Sequence, residues 1–220
     1  MEHFECWFRD ICEEECPVSG CSRYRTTKWQ MDNAGLPEAQ QRVIKLTSKS
    51  DEEREIFGYL GEIKKNIVQH VKDGDNFYIC SNATGNGKTS WAIKLLQAYL
   101  ASVSSGNIGI LRGIFISVPD LLIKIKDFSD PITSKNLIEK IQKVDLVIWD
   151  DVVISGLSNF DYLQLYNLIN NRLFAKKSNI YTSNYEDRNT LQELIGARLT
   201  SRIWNDSEII KFVGLDRRGK

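Results

Sequence analysis

Short apolar runs alternate with longer amphipathic ones along the second part of the chain. Five runs rich in β-branched and aromatic residues, NFYICS (76–81), GIFISV (113–118), VDLVIWDD (144–151), NIYTSN (179–184) and EIIKFV (208–213), read as strands. Between them SWAIKLLQAYLAS (90–102), PDLLIKIKDF (119–128), SKNLIEKIQK (134–143) and FDYLQLYNLINNRLFAKK (160–177) place their apolar residues at helical spacing. Alternation of this kind predicts an α/β fold with a mainly parallel sheet covered on both faces by helices. Upstream, DEEREIFGYLGEIKKNIVQHV (51–71) reads as a helix with Asp51 as its N-cap, and Gly35 and Pro37 mark a break before it. No internal repeat or low-complexity segment interrupts the pattern.

Composition narrows the picture. A chain of 220 residues with 42% hydrophobic content can bury one substantial core with a small appendage. No apolar run approaches the roughly 18 to 20 residues of a membrane span, and the acidic, Cys-rich N-terminus has no basic or apolar signal region. The expectation is a soluble, cytoplasmic protein with no membrane partner. Formal net charge is +0, so any attraction to nucleic acid must come from local patches.

Candidate chemistry begins at NATGNGKT (82–89), which follows the strand FYIC and opens a helix. It matches the phosphate-binding loop G-x-x-x-x-G-K-[ST] except that Asn82 stands at the first glycine. Strand, loop and helix form the context that the motif requires. Asn82, Ala83, Thr84, Gly85, Asn86, Gly87, Lys88, Thr89 and Ser90 are therefore the candidate nucleotide-binding residues, with ATP or ADP as ligand. Backbone N–H groups would cradle phosphate, Lys88 would reach the β- and γ-phosphates, and the Thr89 hydroxyl would bind Mg²⁺. Asn is the non-glycine residue that best tolerates a positive φ, which makes it an acceptable occupant of a tight strand exit.

A second acidic site supports the first. The strand VDLVIWDD delivers Asp150 and Asp151 at its C-terminal end, where ligands of open α/β sheets bind. Asp150 suits a Mg²⁺-holding role, and Asp151 could orient or deprotonate an attacking water. Asn184, ending NIYTSN, could hold that water or the γ-phosphate. Taken alone, paired aspartates or a Ser-Asn ending are also ordinary turn starts.

The order NATGNGKT, LVIWDD, IYTSN, IGARLTSRI and FVGLDRRGK resembles the AAA+ ATPase domain of DnaC/DnaI-type replicative helicase loaders, including DnaC-like proteins of phages and prophages. The resemblance covers about residues 35–220. It implies an AAA+ P-loop ATPase core without a C-terminal lid, and ATP-dependent loading of a DnaB-type hexameric helicase onto single-stranded DNA during replication. It further implies self-association through the ATPase domain, with an arginine that reaches the neighbouring subunit's γ-phosphate. Arg202 is the first choice for that arginine and Arg198 the second, and their i, i+4 spacing would put both on one helix face. Asp151 stands where most AAA+ enzymes carry Glu, so hydrolysis is expected to be slow. Arg218 is a candidate nucleotide contact or a solvated basic tail. An IstB-type transposase helper shares the same core, and an ATP-gated adaptor with little hydrolysis is a further alternative.

Residues 1–34 form a distinct Cys-rich segment. Cys6, Cys12, Cys16 and Cys21 give C-x5-C-x3-C-x4-C, four thiolates that suit tetrahedral Zn²⁺, with His3 able to replace Cys6. An iron–sulfur cluster is the chemical alternative, and cysteines acting as small hydrophobes are another. By resemblance to related loaders this segment binds the helicase. Cys80 falls in the first strand and is expected in the core. Lys124, Lys126, Lys135, Lys140 and Lys143 occupy the region where related proteins face single-stranded DNA, although lysines on amphipathic helices are usually a solvated face.

Overall fold

The computed structural model describes residues 6–8, 21–103, 109–127, 129–214, 216 and 217. Its centre is a five-stranded parallel sheet of β1 (Asn76–Cys80), β2 (Gly113–Ser117), β3 (Leu146–Asp150), β4 (Ser178–Ser183) and β5 (Glu208–Lys211), in the order β2-β3-β4-β1-β5. Each strand coincides, to within about two residues, with one of the apolar runs.

Alternation along the strands sorts side chains between two helical layers. Phe77, Ile79, Phe115, Leu146, Ile148, Ile180 and Ile210 pack under α2 (Asp51–Lys65), α3 (Ile67–Asp73) and α4 (Lys88–Val103), against residues such as Leu60, Ile67 and Leu96. Tyr78, Ile114, Ile116, Val147, Trp149 and Tyr181 face α5 (Val118–Lys126), α6 (Pro131–Lys143), α7 (Asn159–Phe174), α8 (Arg188–Ile195) and α9 (Ala197–Thr200). Burial of each such side chain contributes about 1.5–3 kcal/mol, so both faces must be covered for the sheet to persist. Arg172 braces the second layer. It is fully buried and donates to Asn179 Oδ1 at 2.8 Å and to the carbonyls of Ile141, Val144, Asp145 and Ser178.

Three local features differ from expectation. Ser50, rather than Asp51, caps α2, its Oγ accepting from the Glu53 N–H at 3.1 Å, while Asp51, Glu52 and Glu53 fill the first turn where the helix dipole favours anions. The helical stretch from 51 also breaks at Asn66 into α2 and α3, and α3 stops at Gly74 with φ +79°. Finally, an unforeseen helix α1 (Ser22–Asn33) lies within the segment assigned to metal binding and linkage. Its buried face is largely polar, Tyr24, Thr27, Gln30 and Met31, so hydrophobic periodicity gives no sign of it. Gln30 compensates by donating to the Ile110 carbonyl at 2.7 Å and accepting from the Arg112 N–H at 3.1 Å. Residues on both sides of the expected 34/35 boundary share one core, since Met31, Ala34 and Leu36 all pack into the first layer.

The order of the strands positions the site. β4 lies between β1 and β3, so the segments leaving their C-terminal ends emerge side by side.

Candidate nucleotide-binding site

β1 leads into the loop at 81–87, and α4 begins at Lys88. The left-handed residues of this loop are Gly85 (φ +67°) and Gly87 (φ +110°). Asn82 does not have a positive φ, which corrects the expectation attached to its place at the first glycine; the sharp reversal falls later in the loop. The Asn82 N–H instead donates to Glu186 Oε1 at 2.8 Å. Asn86 is fully buried, and its Nδ2 reaches Ser81 Oγ at 2.8 Å and the Phe212 carbonyl at 3.5 Å. Lys88 Nζ donates to the Ala83 carbonyl at 2.7 Å and to Asn86 Oδ1 at 3.3 Å.

Residues after β5 close over the loop. The Phe212 N–H donates to the Cys80 carbonyl at 2.6 Å, and the Arg217 N–H donates to the Gly85 carbonyl at 2.9 Å. Arg217 in turn pairs with the buried Glu53 at 2.6 Å. The Asp216 carboxylate lies so near Gly85 that a Cβ there would collide with it. Arg218 lies outside the described residues.

β3 delivers the acidic pair. Asp150 Oδ1 accepts from Thr89 Oγ1 at 2.8 Å and from Thr182 Oγ1 at 2.6 Å. Burial pushes the Asp150 carboxyl above its usual range; the bonds from Thr182 and Thr89 pull it down, Asp151 pushes it up and Lys88 pulls it down. A buried carboxylate with a hydroxyl beside it is a hard-oxygen pair that suits Mg²⁺. Asp151 is exposed and left-handed (φ +51°), with its N–H donating to Thr182 Oγ1 at 3.1 Å. Asn184 is exposed just beyond β4. Thr84 through Ser90, Asp150, Asp151 and Asn184 line one open cleft of about 830 Å³, which Lys124 and Arg217 also border. Asn82 and Ala83 stand outside its lining.

The two candidate arginines are elsewhere. Arg198 is exposed on α9, which covers only Ala197–Thr200, and the chain then widens into a π-helical turn over Ser201–Asn205. The Arg202 guanidinium lies 5.6 Å from the centre of the Phe174 ring, beside a pocket of about 290 Å³ bordered by Asn76, Asn170 and Asp206. Asn76 begins β1 while the phosphate loop follows its other end, so Arg202 does not meet the cleft of its own chain.

Cys12 and Cys16 lie outside the described residues, as does His3. Cys6 is buried beside Phe8 and Tyr24, and the Cys21 Sγ accepts from the Tyr24 N–H at 3.5 Å as the cap of α1. Among the described residues no group of three or more His, Cys, Asp or Glu is placed to hold a metal ion. Cys80 is fully buried, its thiol pushed up to about 12 by burial and then by Glu186, against the lowering effect of Lys211 and Lys88. Of the basic residues on α5 and α6, Lys126 bonds Asp161 at 2.7 Å and Lys143 bonds Glu139 at 3.2 Å. No described helix is long and apolar enough to cross a membrane.

No protein-family model matches the chain. Over 172 residues the chain is 26% identical to the replicative helicase loader DnaC of Buchnera aphidicola subsp. Schizaphis graminum (strain Sg), a match covering 76% of this chain and 58% of that protein. The structure of the DnaC helicase loader aligns with TM-score 0.65 at 19% identity, covering 84% of this chain and 99% of that one. The fold is that of DnaC and DnaI. For DnaI the TM-score is 0.63 at 19% identity, with 86% and 99% of the two chains covered. AMPPCP-bound DnaA from Aquifex aeolicus aligns with TM-score 0.55 at 21% identity over 76% of this chain and 48% of that one. DnaC and DnaI thus match along nearly their whole solved chains, whereas the chain spans less than two thirds of the curated DnaC relative.

Thr182, Glu186 and Arg217 are functional-site residues that sequence reasoning missed. Thr182 and Glu186 belong to no loop motif: the pairing of β4 with β1 and β3 puts Thr182 beside Asp150, and Glu186, just beyond β4, meets the start of the phosphate loop.

Proposed function

We propose that this chain is an ATP-dependent loader that places a DnaB-type hexameric replicative helicase on single-stranded DNA. The carrying observation is the 2.8 Å bond between Thr89 of the phosphate loop and Asp150 of β3, which joins two separate sequence signals into one Mg²⁺-competent site. Similarity to DnaC, by sequence and by fold, favours a loader over a transposase helper.

In this reading the N–H groups of the loop around Gly85 and Gly87 cradle the phosphates. Lys88 exchanges its bond to the Ala83 carbonyl for the β- and γ-phosphates. Thr89 and Asp150 would hold Mg²⁺, which would supply charge neutralisation for the phosphates. Asp151 accepts a proton from a water whose oxygen bonds to the γ-phosphorus as the bridging bond to ADP breaks, and Asn184 orients that water or the γ-phosphate. Arg202, or Arg198 in its place, completes the site of a neighbouring copy.

The Cys-rich segment, residues 1–34, binds Zn²⁺ through Cys6, Cys12, Cys16 and Cys21 and engages the helicase. A metal would stabilise a segment too short for a core of its own, by about 10–16 kcal/mol in small zinc peptides. A second reading, an ATP-gated adaptor with little hydrolysis, draws on Asp151, whose side chain is one methylene shorter than the usual Glu.

Co-purification with a candidate replicative helicase tests the loader. ATP should stabilise the complex and Lys88→Ala should remove that dependence. No association in any nucleotide state refutes the reading.

A further inference from the structure

Thr182 grips both aspartates of the site at once. Its hydroxyl proton goes to Asp150 Oδ1 at 2.6 Å, while its oxygen accepts the Asp151 N–H at 3.1 Å. Its own carbonyl accepts the next amide, that of Val152, also at 3.1 Å. Two successive N–H groups of the turn after β3 are therefore held by one residue of β4. The side chain is nearly solvent-free, at 1% exposure, so its hydroxyl makes these bonds without competition from bulk water. Asp151 also sits at φ +51°, a conformation that an ordinary residue keeps only when its surroundings enforce it.

These contacts have a directional consequence. A hydroxyl has one proton to give, and here it is committed to Asp150, so the remaining lone pairs are what the Asp151 amide finds. With Thr89 also donating to Asp150 Oδ1, that oxygen is fixed from two sides, and the other carboxylate oxygen is left for the ion's coordination sphere. We propose that Thr182 is a positioning residue for ATP hydrolysis, holding Asp151 in its left-handed turn and Asp150 in register with Thr89, without itself touching nucleotide. The assignment rests on the proposed ATPase function of this cleft and adds to it a residue outside the cleft lining.

The test compares Thr182→Val, which keeps the shape and removes the hydroxyl, with Thr182→Ser, which keeps the hydroxyl. Nucleotide affinity is read with a fluorescent ATP analogue and hydrolysis under single turnover in the presence of helicase and single-stranded DNA. Thr182→Val should lower the hydrolysis rate by about tenfold or more, the size of one hydrogen bond to a charged group, while nucleotide Kd changes by less than about threefold. Thr182→Ser should restore the rate to within about threefold of wild type. In an Asp151→Asn background Thr182→Val should cost clearly less than it does in the wild-type background, because one of the two groups it positions is already lost. A merely structural threonine would give the same loss in both backgrounds. If Thr182→Val does not yield folded protein, Thr182→Ala against Thr182→Ser isolates the hydroxyl in the same way. Wild-type turnover by the valine or alanine variant, or equal losses with and without the Asp151 carboxylate, overturns the assignment and leaves the ATPase reading standing. A wild-type chain that binds no ATP overturns both, and one that binds ATP without hydrolysing it overturns this assignment together with the hydrolytic role of Asp151, leaving nucleotide binding in place.

Discussion

Arg202 offers a quantitative test of whether the site is shared between copies of the chain. It is stacked over Phe174, whose ring is 74% exposed, and it lies at the far end of β1 from the phosphate loop. To reach a neighbour's γ-phosphate it must leave that ring. An exposed cation–π contact is worth about 0.5–1 kcal/mol, or a factor of about two to five. An arginine completing a phosphoryl-transfer site is worth about 10³ to 10⁵ in rate, on the order of 4–7 kcal/mol. The second effect exceeds the first several-fold, so the stack parks the guanidinium without locking it.

The perturbations are therefore Arg202→Ala and Phe174→Ala, read as ATP hydrolysis per chain over a range of protein concentration, with and without helicase and single-stranded DNA. Wild-type activity per chain should rise on assembly. Arg202→Ala should abolish the rise with nucleotide affinity nearly intact, whereas Phe174→Ala should shift rates by no more than about fivefold. Mixing separates action in trans from action in cis. Asp151→Asn chains keep the finger and lack the water-orienting carboxylate, Arg202→Ala chains have the reverse defect, and the mixture should recover part of the activity. Rates independent of concentration and partners, or a fully active Arg202→Ala chain, would refute the reasoning and transfer the role to Arg198 or to a monomeric mechanism.

Other predictions follow from single contacts. Lys88→Ala should greatly weaken binding of a fluorescent ATP analogue, since it removes the charge meeting the β- and γ-phosphates, while Asn82→Gly should alter affinity little; undiminished binding by Lys88→Ala would remove the phosphate-loop assignment. Elemental analysis of the purified chain should find about one zinc per chain, lost with substitution of Cys12 or Cys16, and a metal-free chain that still binds helicase would dispose of that proposal. Asp161→Asn should destabilise the fold at neutral pH by about 1–2 kcal/mol, because Asp161 closes the capping box of α7 and pairs with Lys126. Burial pushes the Asp161 carboxyl up, but Lys126 and the Ser158 hydroxyl and amide hold it below the usual carboxylate range. A depressed folded-state pKa contributes stability above the unfolded value of about 3.9 and loses it as pH falls through the folded one, so denaturation midpoints of wild type and variant should converge below about pH 4. A gap that stays constant with pH would contradict this.

The legible part of the fold is the part where periodicity and burial agree. Buried parallel strands must be apolar on both faces, so β1 through β4 announce themselves, and the phosphate loop is recognisable because its chemistry needs glycine and lysine at fixed spacing. Helix α1 was not legible, since its buried side includes Thr27 and Gln30, the latter satisfied by partners 80 or more residues away. Arg172 is the same kind of case. In the run LINNRLF it reads as a surface charge, and only the folded chain reveals the four carbonyls and one amide oxygen that make its burial tolerable. Thr182 gives no sign of its role, because a threonine in a β-run is expected on propensity alone.

The departure at Asn82 is best understood from what braces the loop. Had the first position needed a left-handed backbone, Asn there would bear a conformational cost that Gly avoids. The turn is instead made at Gly85 and Gly87, and the start of the loop is tied by the Asn82 N–H to Glu186 beyond β4. Its middle is tied by Asn86 to Ser81 and to Phe212, and by the Gly85 carbonyl to the Arg217 N–H. Arg217 is anchored in turn on Glu53 in the first turn of α2 and on the Thr47 carbonyl. Loop geometry is thus distributed over α2, β4 and the residues after β5, and does not depend on the residue at the first motif position. The tolerance at Asn82 and the intolerance at Gly85 then have one origin: an added Cβ at Gly85 would displace the Asp216 carboxylate and would sit at a left-handed φ that costs about 1–2 kcal/mol. Gly85→Ala should therefore impair nucleotide binding far more than any substitution at Asn82 that preserves the backbone bond to Glu186, although a glycine pattern alone would rank the two positions the other way.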